Sequence, residues 1–129
     1  MSSAAKAAVI ANVAGDRQHR RIGDAMYRVG DAKVHVRYVS WPKARSTYAF
    51  NVNPTTLRAD FEVWICGDAS SYYLTPIEVI RTLYDDPDAY VDRRHPKLRV
   101  MEVSLDDHSC LYARGGQRKN FSPYYLAKL

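Results

Sequence analysis

The sequence predicts an α/β domain of the α+β kind, with a mixed central sheet of about four to five strands and flanking helices. Three observations predict it. Residues 33–38 alternate, with Val34, Val36 and Tyr38 on one side and Lys33, His35 and Arg37 on the other, the period-two pattern of a strand. Residues 61–66 are apolar except for Glu62, as in a central strand covered on both faces. Ile77, Ile80, Leu83 and Tyr84 fall at helical spacing, the buried stripe of an amphipathic helix.

The elements follow in order. An alanine-rich helix opened by Ser2 or Ser3 runs to about Val13 and ends at Gly15. Residues 16–21 are a polar, basic connector. Residues 24–29 and 32–40 form a hairpin about Gly30-Asp31, since glycine accepts positive φ without steric cost. Residues 41–46 are a loop, 47–52 a strand and 55–58 a helical turn. Residues 61–66 and 71–74 are strands about a Gly67-Asp68-Ala69-Ser70 turn. Thr75 as N-cap, Pro76 at the first helical position and Glu78 closing a capping box start the next helix. Asp85-Asp86-Pro87 stops it. After a charged connector, residues 98–105 and 109–113 form a late hairpin, and Ser122-Pro123 starts a last short helix through Leu129.

A chain of 129 residues is of single-domain size, and it reads as one domain, 1–129. Residues 1–21 are the N-terminal helix and connector, 22–84 the core sheet and helix, and 85–129 the late hairpin and basic tail. Hydrophobic residues make 47% and charged residues 26%, a globular composition. No apolar run approaches the length of a membrane span. The apolar N-terminus is short, broken by Lys6 and Asn12, and has no basic lead, so it does not read as a signal peptide. Cys66 and Cys110 make no disulfide framework. They are expected as packed thiols in a reducing compartment, with the cytoplasm as the expected location. Zinc-type Cys/His spacings, a Ser/His/Asp arrangement and a glycine-rich phosphate loop are all absent from the sequence. His95 and His108 fall in polar connectors and are expected at the surface.

Charge is unevenly spread about a net +5. Residues 1–50 carry nine Lys or Arg and three Asp; residues 51–113 carry six and eleven acids; residues 114–129 carry four and no acid. Two basic ends about an acidic middle suit a polyanion.

The segments Ala59-Asp60-Phe61-Glu62-Val63-Trp64-Ile65-Cys66 and Ser71-Tyr72-Tyr73-Leu74-Thr75-Pro76-Ile77-Glu78-Val79-Ile80 resemble the back half of small PD-(D/E)xK endonucleases. Those include the intron-associated and Holliday-junction-resolvase-like domains. The resemblance covers roughly residues 22–84 and implies a restriction-endonuclease-like fold. It also implies Mg²⁺ held by paired carboxylates, with a lysine steadying the charge that develops on the phosphate. Carried onto this chain, Asp24 is the first acid. Asp31-Ala32-Lys33, the only acid-x-lysine in the sequence, supplies the second acid and the lysine. Asp24 and Asp31 would then be the metal ligands, unless Asp31 serves only the turn. The strand best placed for the motif reads His35-Val36-Arg37. Those two side chains join the catalytic candidates, although such a pair replaces a hard anionic ligand poorly.

Independently of any family, Lys33, His35 and Arg37 set three cationizable groups roughly 7 Å apart on one strand face. Arg28 on the partner strand is expected beside them by hairpin pairing. Such a face is either wetted by solvent or lines a groove that contacts phosphates. Arg17, Arg20, Arg21, Arg28, Arg114, Arg118 and Lys119 are the candidate nucleic-acid contacts. Phe121, Tyr124 and Tyr125 either stack on bases or dock on the core. The expected function is a nucleic-acid-binding domain gripping the backbone, DNA before RNA, without requiring cleavage. One alternative is an active Mg²⁺-dependent endonuclease. Another, from ten tyrosines, is a protein-interaction or homodimeric module.

Overall fold

The structure is a computed structural model that describes residues 2–112 and 115–129. The fold is α+β, with two helices and two sheets. In order, helix α1 is Ser2–Ala14, followed by β1 His19–Gly23, β2 Met26–Val29, β3 Ala32–Val39 and β4 Thr47–Val52. Then come β5 Phe61–Cys66, β6 Tyr72–Pro76 and helix α2 Ile77–Tyr84. Strands β7 Arg99–Ser104, β8 Ser109–Tyr112 and β9 Lys119–Asn120 close the order. Short 3-10 turns sit at Pro54–Thr56 and Ser122–Tyr124.

The first sheet has the order β1-β2-β3-β5-β6, and the second β4-β7-β8-β9. All pairs in the first are antiparallel except β3 with β5. That parallel pair needs a long connection. The chain leaves β3, builds β4 in the second sheet, and returns through the Pro54–Thr56 turn to β5.

Period-two alternation divides the first sheet between two cores. Val34, Val36, Val63, Ile65, Tyr72 and Leu74 face α1, which buries Val9, Ile10 and Val13 against them. Trp64, Cys66 and Tyr73 face the other way, onto Phe50, Met101, Val103 and Phe121 of the second sheet side and Ile80 and Leu83 of α2. Residues 62–66 are therefore buried on both faces, as their apolar run predicts. The centres of the Phe50 and Trp64 rings stack 4.8 Å apart in this second core.

Four expectations are corrected. The connector over residues 16–21 contains a strand, β1, whose five residues are all exposed; with both faces wet it carries no apolar alternation to signal it. Thr75 does not cap α2. It still belongs to β6, paired with Glu62, and its side chain points between the sheets. The N–H of Ile77 donates to the Asp60 carbonyl instead, at 3.0 Å. The helix expected through Leu129 is only the Ser122–Tyr124 turn. Beyond it the chain runs along β6, with a Tyr73–Tyr125 bridge and the Leu126 N–H donating to the Tyr72 carbonyl. The outer edge of β6 is thereby partly covered, whereas β1 ends the sheet on the opposite side with no further strand paired to it among the described residues. Finally, His108 is half-buried rather than superficial: its Nδ1 lies 2.6 Å from the Tyr73 hydroxyl.

Candidate nucleic-acid interface

The metal pair drawn from the sequence is not assembled. Asp24 stands in the β1–β2 turn, fully exposed, with Oδ1 3.6 Å from Nη2 of Arg21. Asp31 stands in the turn between β2 and β3. Strand β2 separates the turns, by more than about 10 Å at the usual rise per residue. Carboxylates that far apart do not share one ion with oxygen bonds near 2.1 Å. Among the described residues no three of His, Cys, Asp and Glu converge as metal ligands.

Lys33, His35 and Arg37 do share a face of β3, but that face is divided. Lys33 is exposed, while His35 is buried and Arg37 mostly so. The second sheet covers the half where His35 and Arg37 lie, and both turn to Glu62 on the adjacent parallel strand. Nδ1 of His35 is 2.9 Å from Glu62 Oε2, and Nε of Arg37 donates to Glu62 Oε1 at 2.9 Å. Nε1 of Trp64 donates to the same Oε1 at 3.2 Å. Arg37 continues outward, donating to the Asn51 carbonyl and the Thr56 hydroxyl. These groups tie the first sheet to β4 and the 3-10 turn. Arg37 is thus committed inside the protein and is not a free phosphate contact.

Glu62 is the residue that sequence reasoning passed over. Its signal was present: a lone acid in a strand buried on both faces must find cations. What the sequence did not supply was the parallel register that sets Glu62 opposite His35.

The uncovered part of the same face lies over β1, β2 and the start of β3. There the register pairs Arg20 with Arg28, and Arg28 with Lys33. Three cations from three strands thus stand in one row. Directly opposed side chains in antiparallel strands lie about 5 Å apart, and like charges so placed destabilise a sheet. Among the described residues no carboxylate forms an ion pair with Arg20, Arg28 or Lys33. Asp60 sits at the end of the row, where its Oδ2 accepts the backbone N–H of Lys33 at 2.8 Å. Arg17 adds a fourth cation. Its side chain lies over Gly30, whose α-carbon carries no group to displace it. Arg17, His19, Arg20 and Arg28 line an open groove of about 450 Å³, with Asp16 and Gln18 at its wall.

The remaining basic candidates lie elsewhere. Arg21 pairs with Asp24, and its register partner Tyr27 faces α1. Arg118 and Lys119 lie at β9, beside the turn that packs on β6, at the edge of the molecule remote from β1. Arg114 lies outside the described residues. Phe121 is wholly buried, its ring centre 5.7 Å from that of Trp64, and Tyr124 packs against it. These aromatics dock on the core. Of the tyrosines whose side chains are described, only Tyr90 is exposed. Cys66 and Cys110 are free and buried. Burial pushes the Cys66 thiol up to about 12 and Cys110 higher still, so neither is a thiolate nucleophile near neutral pH.

No family model, curated protein or solved structure matches this chain.

Proposed function

We propose that this protein binds the phosphate backbone of nucleic acid through the row Arg20, Arg28 and Lys33, with Arg17 beside it. The observation that supports this reading is the register: it stacks three cations across β1, β2 and β3 with no ion-pairing acid among the described residues. An arrangement that costs stability in the free protein becomes favourable when phosphates lie along it. Arginine suits the task because its planar fork matches phosphate oxygens. Backbone contacts of this kind fix position and affinity without reading base sequence. The strand face here is a different set from the one expected from β3 alone, because His35 and Arg37 are held by Glu62.

The test is fluorescence anisotropy on labelled oligonucleotides of unrelated sequence. R20A and R28A should weaken binding by similar factors on every sequence, roughly 5- to 10-fold each if each phosphate contact contributes on the order of 1 kcal/mol. The pair R118A/K119A, on the remote edge, should change affinity less than either. Equal losses at both places would count against the β1–β2–β3 row as the interface.

A further inference from the structure

On two of its edge strands the chain itself meets the backbone groups that point out of the sheet. Along β6 the Leu126 N–H donates to the Tyr72 carbonyl, and a bridge joins Tyr73 to Tyr125. Along β4 the Lys43 N–H donates to the Thr47 carbonyl, and Arg37 donates to that of Asn51. β1 has no such cover. The Gly30 N–H donates to the Gln18 carbonyl at 2.8 Å, and the register that pairs His19 with Val29 sets Gln18 opposite Gly30. Bonded pairs alternate along antiparallel strands, so Gln18 and Arg20 turn their backbone groups to β2. His19 and Arg21 therefore turn N–H and C=O away from the sheet. Among the described residues nothing donates to those groups or accepts from them. The register shift between Arg21 and Gly23 ends the regular edge there. Every residue of β1 is exposed, so a further strand can reach it.

We propose that β1 docks an acidic, extended segment of a partner protein, which joins the five-stranded sheet as an added edge strand. This goes beyond the phosphate-binding reading and does not depend on it. Charge complementarity selects the occupant. Side chains opposed across adjacent antiparallel strands lie about 5 Å apart. A second copy paired antiparallel about Arg20 would set Arg20 against Arg20 and join two cation rows end to end, which like-charge repulsion disfavours. An acid opposite Arg20 instead extends the row of Arg20, Arg28 and Lys33 with a counter-charge. On the other face, an acid opposite Arg21 meets a guanidinium whose pairing with Asp24, at 3.6 Å, is solvent-exposed and so contributes little. A phosphate backbone accepts from outward N–H groups but offers no donor to the outward carbonyls of His19 and Arg21. A polypeptide strand supplies both. Main-chain bonds then give the affinity, and the arginines give the preference for acids.

The experiment titrates the full chain with a capped peptide of alternating glutamate and valine, and with one of alternating lysine and valine, and follows backbone amide exchange by NMR. The glutamate peptide should bind and the lysine peptide should not. Exchange should slow at His19 and Arg21 and stay unchanged at Arg20, whose N–H is already bonded to β2. H19P removes one outward N–H at an edge position where a strand tolerates proline. It should weaken binding of the glutamate peptide roughly 5- to 10-fold, the worth of about one hydrogen bond, while H19A stays within about twofold of the wild type. Should H19P fail to fold, the exchange pattern in the wild type decides. No binding of either peptide, equal binding of both, or a folded H19P that binds as tightly as H19A would each overturn the inference. So would slowed exchange at His19 and Arg21 that rises with protein concentration alone, which would give the edge to a second copy, or that an oligonucleotide alone produces, which would give it to nucleic acid. Binding of the glutamate peptide by a protein that binds no oligonucleotide would sink the phosphate-binding reading and leave this one standing.

Discussion

Glu62, without solvent exposure, holds Arg37 Nε at 2.9 Å from its Oε1, although the strand register sets Arg37 opposite Trp64. The arginine leans back along β3 to reach the carboxylate, and its remaining nitrogens bond to β4 and the Pro54–Thr56 turn. One buried pair thus joins both sheets.

Removing either partner leaves the other's charge inside the protein without its counter-charge. E62A and R37A should each cost about 3–5 kcal/mol, read from denaturant titration of tryptophan fluorescence. Trp64 is buried and Trp41 is 81% exposed, so iodide quenching separates the core reporter from the surface one. The double variant E62L/R37M should be more stable than either single variant. A double variant as unstable as the sum of the singles would mean that the pair itself is not the source of the cost.

The cation row predicts opposite effects on folding and binding. R28E sets a carboxylate between Arg20 and Lys33 in the cross-strand register. It should raise stability by about 0.5–1 kcal/mol at low salt, with the gain shrinking as salt is added. The same change should abolish nucleic-acid binding. A destabilised R28E would show that the row carries no like-charge cost.

Cys66 gives a pH dependence with a definite sign. Burial raises its pKa from 9.0 to about 12 in the folded protein. A raised folded-state value favours the neutral thiol, so its contribution to stability is complete below pH 9 and is lost as pH rises toward 12. Unfolding free energy should fall through that window, and C66A should show a shallower fall. Alkylation of the folded protein by iodoacetamide at pH 8 should be slow and should track global unfolding.

Much of the scaffold was legible in the sequence because burial leaves periodic traces. β3, β4, β5 and α2 each fall within a residue or two of expectation, since each has a one-sided or two-sided apolar pattern. β1 escaped notice because His19, Arg20 and Arg21 are wet on both faces, and β9, two residues long, is too short to show a period. Thr75 looked like a helix cap by spacing alone, but pairing of β6 with β5 as far as Pro76 keeps it in the sheet. The site was only half legible. Lys33, His35 and Arg37 were placed on one face correctly, yet which of them stays free depends on the parallel pairing with β5 and on cover from a second sheet. Arg20 and Arg28 were candidates one by one. Their alignment with Lys33 follows from β1 joining the hairpin, a pairing with no hydrophobic signature.

The most direct measurement of the binding claim is affinity for duplex DNA across a salt series, for the wild type and R28A. A row of three cations on three phosphates predicts that log K falls with log salt at a slope of about −3 for the wild type. In R28A the slope should be shallower by about one. A wild-type slope near zero, or the same slope in both proteins, would contradict binding through Arg20, Arg28 and Lys33.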